Sequence, residues 1–320
     1  MHLRWLIFAL ALLLSGPAAS DDAYPLRPVH LIAPAAPGGS FDILARILAQ
    51  GLSERWRYNV IVENRPGGGG NIGALAVSRA EPDGYTLLVW NDSLLINPTL
   101  LRDTQFDPKN DFTPISLSIY VPNVLVAHPS TGFHSFADFL RAARAKPGQL
   151  TYGSPGNGSP GHLSFELLKQ LAKIDVVHVP YRGAGPAIVD LVSGHIPLGM
   201  VAIPGAIGHI RAGTLVALGV TSARPVAALP DVPPIAEAGL PTYRINAWHG
   251  ILGPARMPPA LVKHLEKDIT EVLNTPAVRQ KLIELGFEPA AGSAAELADI
   301  IDRDLPIWHD LVIKSGTRAD

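Results

Sequence analysis

Residues 29–52 read VHLIAPAAPGGSFDILARILAQGL, and this stretch decides the fold. Val29–Ala33 is a short apolar run with the length of a buried strand. Residues 34–40 contain two glycines and two prolines, which predict a turn. The residues that follow repeat apolar side chains at helical spacing, namely Ile43, Leu44, Ile47, Leu48 and Leu52. A strand, a glycine-containing turn and a helix in direct succession predict an α/β fold.

The alternation of strands and helices continues along the chain. Strands at 59–63 and 86–90 flank a helix at 71–79, and this order predicts a parallel sheet. A second series begins with Asn123–Ala127, and a proline-rich connector follows it at 224–243. The other strands of that series are predicted at 150–153, 176–179, 198–201 and 216–220.

The length of the chain favours two lobes, because about 300 residues are too many for one core. After a strand at 248–252, the chain closes with helices at 259–273, 276–285 and 294–312, which have no sheet of their own and are expected to pack on the first lobe. We therefore predict an α/β protein in which each lobe is a mainly parallel sheet flanked by helices. Lobe 1 comprises 21–124 plus 246–320, lobe 2 is inserted as 125–245, and a ligand cleft lies between them.

Residues 1–20 are typical of a signal peptide. Arg4 precedes an apolar run at 5–14, which is too short to span a bilayer, and small residues end at Ser20. We expect cleavage near Ser20 and export to the periplasm; an uncleaved anchor is the alternative. Since the chain has 0 cysteines, disulfides, thiolate metal sites and a lipid-modified cysteine are excluded, and we expect no lipid anchor.

Charge and motifs argue against nucleic-acid binding and catalysis. The net charge is −2, with no predicted basic patch for nucleic acid. The patterns of serine hydrolases, zinc proteases and P-loop proteins are absent from the sequence. We predict no catalytic residue, metal site or cofactor. One alternative is a dinucleotide site, since residues 68–73 match G-x-G-x-x-G and Asp92 follows at the expected distance, although residues 64–66 separate the strand from the glycines.

Two glycine-rich turns, one in each lobe, are the strongest candidates for a binding site. Residues 34–40 and 154–161 each follow a strand and precede a helix. Such turns leave backbone N–H groups free and place the positive end of a helix dipole at the loop. If the lobes face each other, the two loops are suited to holding carboxylates; helix capping without a ligand is the alternative for each.

Four further positions are candidates because of where they fall along the chain. Asn91 and Ser93 follow the end of a predicted strand in lobe 1 and are candidates for setting specificity. His162 begins a helix of lobe 2 and is compatible with reaching the cleft or with capping that helix. Trp248 lies near a predicted crossing between the lobes, where it is expected to line the cleft.

The sequence resembles the substrate-binding receptors of tripartite tricarboxylate transporters, the Bug receptor family, over residues 24–316. The matching motifs include Ala36-Pro37-Gly38-Gly39-x-x-Asp42, Val62-Glu63-Asn64-Arg65-Pro66-Gly67, Pro82-Asp83-Gly84-Tyr85-Thr86-Leu87, Leu150-Thr151-Tyr152-Gly153-Ser154 and His178-Val179-Pro180-Tyr181-x-Gly183. They occur in a fixed order, which makes the resemblance specific.

The resemblance implies a Venus-flytrap fold, no catalysis and a ligand that is a di- or tricarboxylate, an aromatic acid or an amino acid. It also implies a soluble monomer that delivers this ligand to the integral membrane subunits of a tripartite transporter. A receptor for a two-component sensor and an exported enzyme are the alternatives. By position, it implies ligand contacts from Gly39, Ser40, Phe41, Asp42, Ser154, Gly156, Gly158, Ser159 and Tyr181. Phe41 suits either stacking on a ligand or packing of its helix. Asp42 suits stabilising the first turn of its helix, holding the loop, or meeting a ligand ammonium group or a water molecule.

Overall fold

The computed structural model describes residues 24–101, 103–243 and 245–317, so the predicted signal peptide and its cleavage near Ser20 lie outside the described residues. The strands, in chain order, are β1 (Val29–Ala33), β2 (Val60–Asn64), β3 (Thr86–Asn91), β4 (Phe112–Tyr120), β5 (Asn123–Ala127), β6 (Thr151–Ser154), β7 (Val177–Pro180), β8 (Leu198–Ala202), β9 (Val216–Val220), β10 (Trp248–Pro254) and β11 (Glu288–Gly292). The helices are α1 (Ser40–Trp56), α2 (Asn71–Ser78), α3 (Ser93–Leu100), α4 (Phe136–Ala145), α5 (Pro160–Ala172), α6 (Ala184–Val192), α7 (Ile203–Arg211), α8 (Pro259–Leu273), α9 (Pro276–Glu284) and α10 (Ala294–Ser315).

The strands form two separate sheets. A six-stranded sheet has the order β11-β4-β10-β3-β1-β2, and a five-stranded sheet has the order β7-β6-β8-β5-β9. In the first sheet β1 pairs in parallel with β2 and β3, while β10 runs antiparallel to both neighbours. In the second sheet β6 pairs in parallel with β7 and β8, while β5 runs antiparallel to both neighbours. The predicted two-lobed α/β class is confirmed, but each sheet is mixed rather than mainly parallel, because the chain enters β5 and β10 directly from the other lobe and both strands run antiparallel to their neighbours.

Helix α1 shows why the opening stretch forms this architecture. Leu44, Ile47, Leu48 and Leu52 are buried, as their helical spacing predicts, and they pack in one core with Val29 and Leu31 of β1. The predicted stripe also contains Ile43, which is half-buried. Burial of four aliphatic side chains at about 1.5–3 kcal/mol each is enough to fix the helix on the sheet.

The chain crosses between the sheets at two segments that touch each other. The first crossing is Val121 and Pro122, between β4 and β5, and the second ends at Ala247, just before β10. The N–H of Val121 donates to the carbonyl oxygen of Ala247 over 2.7 Å. Because all of β5 belongs to the five-stranded sheet, the first boundary lies before Asn123 rather than at residue 124. We keep the remaining lobe boundaries as a proposal.

Three elements were absent from the sequence prediction. Strand β4 contains Pro114, which weakened its signal, and β11 is the short sequence EPAAG without a β-branched residue. Helix α3 carries Pro98 near its end. The closing segment, predicted to be helical, also contains a strand between α9 and α10. This strand, β11, pairs with β4 at the edge of the first sheet. Among the described helices, none combines the length and apolar character needed to cross a membrane.

Candidate functional site

A cavity of about 670 Å³ lies between the two sheets, and both glycine-rich turns contribute to its wall. Two surface grooves, of about 840 and 820 Å³, are larger. Each of these grooves is lined by residues of the first lobe alone, and neither receives a glycine-rich turn. The cavity between the sheets is therefore the candidate site.

The turn of the first lobe is held by Asp42, which lies behind the wall. The N–H of Gly38 donates to Asp42 Oδ2 at 3.0 Å, and Arg46 Nε donates to the same oxygen at 2.9 Å. The hydrogen bond from Arg46 lowers the pKa of this carboxyl group, so it stays ionised. Gly39 is the N-cap of α1 and offers no side chain, which leaves the first N–H groups of α1 at the cavity wall.

Ser40 and His249 form a hydrogen-bonded pair in this wall. Ser40 Oγ lies 2.8 Å from His249 Nε2, and His249 Nδ1 lies 2.8 Å from the carbonyl oxygen of Trp248. The ring of Phe41 stacks on His249 with 4.7 Å between centroids. Burial lowers the pKa of His249 to about 4, so the imidazole is neutral near pH 7. Trp248 itself is fully buried and does not line the cavity.

The beginning of α3 supplies two predicted positions and a buried acid. Asn91 Oδ1 accepts a hydrogen bond from the N–H of Ser93 at 2.9 Å, and both residues line the cavity. Asp92 between them is fully buried. Burial, and secondarily the charge of Asp304, raise the pKa of Asp92 well above its ordinary range.

The glycine-rich stretch that matched the dinucleotide pattern has a packing role. Gly69 lies beside Asn97, whose side-chain amide donates to the Gly69 carbonyl oxygen at 3.1 Å and to Asn71 Oδ1 at 2.7 Å. A methyl group on Gly73 would lie 2.9 Å from Pro34 Cβ, so that glycine permits close packing. Asp92, the acid that would meet a ribose, is fully buried. The geometry does not fit a dinucleotide.

The turn of the second lobe differs from expectation because it uses its own N–H groups. Gly156 N–H donates to Ser154 Oγ at 3.2 Å, and Gly158 N–H donates to His162 Nδ1 at 3.1 Å. Ser159 N–H donates to the Gly156 carbonyl oxygen at 3.2 Å. Because acceptors only a few residues away in the chain already bind these N–H groups, the turn forms the wall rather than donating hydrogen bonds to a ligand.

Three predicted residues support this turn from behind. His162 is buried, and burial lowers its pKa to about 4, which keeps Nδ1 an acceptor near pH 7. Its ring stacks on His178 with 3.9 Å between centroids, and His178 Nε2 lies 2.7 Å from Ser154 Oγ. The Tyr181 hydroxyl donates to Asp190 Oδ2 at 2.8 Å. These side chains position the turn and do not line the cavity.

Donors from the second lobe are available at α6 instead. Gly183, its N-cap, gives no side-chain hydrogen bond, and Gly183 and Ala184 lie in the cavity wall. The N–H groups of the first turn of α6 have no partner within the helix. Together with α1, this helix directs a positive dipole end at the cavity, so that each lobe supplies one.

The predicted positions divide into two groups. Asp42, Ser154, His162, Tyr181 and Trp248 do not line the cavity, as described above. Eight of the predicted residues do line it: Gly39, Ser40, Phe41, Asn91, Ser93, Gly156, Gly158 and Ser159. Polar lining residues that the sequence analysis did not include are Asn97, Asn123, Asn157 and His249. Asn123 had a signal as the first residue of a predicted strand, whereas Asn97 lies in helix α3, which was not predicted, and His249 is brought in only by the long-range pairing of β10.

No described residue in the cavity wall is Asp, Glu, Lys or Arg. Across the described ranges, there is also no group of three or more His, Cys, Asp or Glu side chains arranged to hold a metal ion. The wall instead combines amides, hydroxyl groups and helix N-termini with apolar residues such as Phe41, Leu100 and Val121. This lining suits an anion with an apolar body.

Comparison with known proteins identifies relatives that cover nearly the whole chain. The model of the tripartite tricarboxylate transporter family receptor matches residues 44–316. Protein BugT of Bordetella pertussis is 32% identical over 93% of this chain and 92% of its own length. The structure of R. palustris Rpa4515 with adipate covers 92% of this chain and 99% of its own, with TM-score 0.83 and 33% identity. MatC from Rhodopseudomonas palustris, with bound malate, covers 90% of this chain and 100% of its own, with TM-score 0.78 and 30% identity.

Proposed function

We propose that this chain, which belongs to the tripartite tricarboxylate transporter family of receptors, captures a small organic carboxylate in the cavity between its sheets. The family resemblance predicted from the sequence motifs is confirmed. The chain is accordingly a periplasmic solute-binding receptor. We propose both the class of its ligand and the residues that contact that ligand.

The observation that carries the proposal is the meeting of helix N-termini at a cavity whose described wall has no charged side chain. The first turns of α1 and α6, one from each lobe, face the cavity. A hydrogen bond to a charged acceptor contributes about 1.5–3 kcal/mol. Three or four such bonds approach the roughly 8 kcal/mol of a micromolar complex, before ordering costs. Solved relatives with adipate and malate support the same ligand class.

The lining also narrows the carboxylates. No described acidic residue of the wall is available for an ammonium group, which makes amino acids poorer ligands than plain acids. The apolar residues suit a carbon chain or an aromatic ring. One face of the Phe41 ring stacks on His249, so only the other face of the ring can contact the ligand.

The proposed cellular role includes export, a monomeric state and a membrane partner. We propose that residues 1–20 direct export, with cleavage near Ser20, and that the mature protein is a soluble monomer without a lipid anchor. Its partners in the proposal are the integral membrane subunits of a tripartite transporter. A sensor role would use the same cavity and differ only in the membrane partner.

We also propose that the protein is not an enzyme. Ser40 and His249 are the pair in the described cavity wall that most nearly resembles a nucleophile and its base. A general base works best with a pKa near the working pH, whereas burial lowers the pKa of His249 to about 4. The group that orients His249 is a backbone carbonyl, which gives no charge to stabilise an imidazolium ion.

The test is thermal unfolding of ligand-free protein with a panel of mono-, di- and tricarboxylates beside the corresponding amides. We expect acids to raise the melting temperature and the amides to leave it unchanged. Gly39→Val should abolish the rise, because Gly39 lies in the wall and a side chain there meets only Ala36 O, at 3.8 Å. Gly208→Val is the control, since Gly208 also has open space around it but lies outside the cavity. A folded protein whose melting temperature no acid changes would contradict the proposal.

A further inference from the structure

The hydrogen positions of the Ser40–His249 pair follow from what each partner can do. The carbonyl oxygen of Trp248, 2.8 Å from His249 Nδ1, can only accept, so Nδ1 carries the hydrogen. In the neutral ring Nε2 is then a bare acceptor. Ser40 Oγ, 2.8 Å from Nε2, must therefore donate its one hydrogen to the imidazole.

This arrangement leaves Ser40 with lone pairs and no hydrogen to offer to the cavity. His249 is buried, and its ring face is covered by Phe41. If the Ser40 hydroxyl turned toward a ligand carboxylate, Nε2 would become a buried acceptor without a partner, and the cost would cancel much of the gain. A ligand that donates to Ser40 Oγ adds a hydrogen bond without breaking one.

A donor lines the same cavity wall as this acceptor, since Asn91 is a lining residue like Ser40 and His249. In the register of β10 and β3, His249 is opposite Asn91. Asn91 Oδ1 accepts from the Ser93 N–H, so the NH₂ group is what Asn91 has left to offer the cavity. An amide donor beside a hydroxyl acceptor is complementary to a carboxylate that has a hydroxyl group on a neighbouring carbon.

We infer that Ser40 and His249 make this receptor selective for hydroxy acids over the corresponding unsubstituted acids. The inference rests on the proposed function, since it concerns the same cavity. A site that hydrogen-bonds a ligand hydroxyl disfavours the analogue that lacks it, because the polar group of the site is then left unpaired.

The experiment is calorimetric titration of the full mature chain with three matched pairs of acids: succinate and malate, adipate and 2-hydroxyadipate, and phenylacetate and mandelate, with both enantiomers of each hydroxy acid. For at least one pair, we expect one enantiomer of the hydroxy acid to bind about 10-fold more tightly than the unsubstituted acid of that pair. This difference corresponds to about 1.4 kcal/mol. Ser40→Ala should remove this preference, measured as the ratio of the affinities for the two members of the pair, because the acceptor for the ligand hydroxyl is gone.

His249→Phe is the second variant, since it keeps an aromatic ring against Phe41 but removes the acceptor. It frees the Ser40 hydroxyl to donate, so the unsubstituted acid should gain affinity and the preference should shrink. Equal binding of both members of every pair that binds overturns this inference alone. Equal weakening of both members by Ser40→Ala does the same. If none of the six acids binds to folded protein, both the inference and the proposed function fail.

Discussion

Gly158 of the second lobe lies against Leu100 of the first: a methyl group on Gly158 would lie 2.1 Å from Leu100 Cδ2. Gly158 also has a φ of +71°, which side chains rarely adopt. Both residues line the cavity. The two lobes therefore meet at this glycine, and its missing side chain sets how closely they approach.

Gly158→Ala should hold the lobes apart and weaken ligand binding about tenfold or more, because overpacking costs about 1–3 kcal/mol. Leu100→Ala in the same chain should restore part of the affinity by removing the contact. Gly213→Ala is the control for backbone strain, since Gly213 has the same φ of +71° and open space around it. Titration of each variant with the tightest acid measures the effect. Equal affinity in Gly158→Ala and Gly213→Ala would refute the role of the contact.

His162→Phe should loosen the second turn, because the Gly158 N–H loses its acceptor at Nδ1. We expect about a tenfold loss of affinity, since an unpaired buried donor costs about 1–3 kcal/mol. His162→Asn is the matched variant, because its side-chain oxygen can take the place of Nδ1. Binding should survive in the asparagine variant. A loss of affinity in the asparagine variant but not in the phenylalanine variant would show that ring packing on His178, and not the hydrogen bond, is what matters.

Ser159→Ala and Ser293→Ala separate helix capping from ligand binding. Ser159 caps α5 by accepting from the His162 N–H, and Ser293 caps α10 by accepting from the Glu296 N–H. Each substitution should lower the free energy of unfolding by about 0.5–2 kcal/mol, measured in urea. Only Ser159 lies in the cavity wall, so only Ser159→Ala should also change affinity. Equal affinity in the two variants would remove Ser159 from the site.

The repeated strand–turn–helix units predicted most of the fold because each unit is specified locally. Helix α8 occupies the predicted residues 259–273, and β1 the predicted 29–33. Strands β4 and β11 were not predictable in this way, because their pairing with distant strands compensates for weak local preference. Their place in the sheet is a property of the whole chain.

The candidate site was predictable as a pair of turns but not as a set of contacts. The glycine-rich turns together with the family resemblance pointed to Gly39, Ser40 and Gly158, which lie in the wall. The sequence did not show that His162 and Ser154 would consume the donors of the second turn. Nor did it place His249 beside Ser40, since these residues are 209 positions apart. Such pairings depend on three-dimensional proximity.

Asp92→Asn should change how stability depends on pH. Asp92 is fully buried, and burial raises its pKa well above the ordinary value. The folded state therefore holds this proton to a higher pH than the unfolded state, whose pKa is about 3.9. Relative to the variant, the wild type should lose stability as the pH rises above about 4 and up to the pKa of the folded state.

Urea unfolding of both proteins from pH 4 to pH 8 measures this effect, with the difference between them as the readout. The subtraction removes acids such as Asp42, whose lowered pKa acts in the opposite direction. Parallel curves for the two proteins would contradict the assignment. The Asp304→Asn variant should show a smaller change of the same sign, because the charge of Asp304 is the secondary cause of the raised pKa.

The hydrogen bond from Val121 to Ala247 joins the two chain crossings between the lobes, so that the crossings lie together at one place. Both residues also form part of the cavity wall, so a molecule bound in the cavity would lie beside this hydrogen bond. If the lobes rotate about the two crossings, a small displacement beside the crossings would give a larger displacement at the rim of the cavity. Molecules of different thickness would then produce different closing angles, so the shape of the rim would differ with the shape of the bound molecule as well as with its presence.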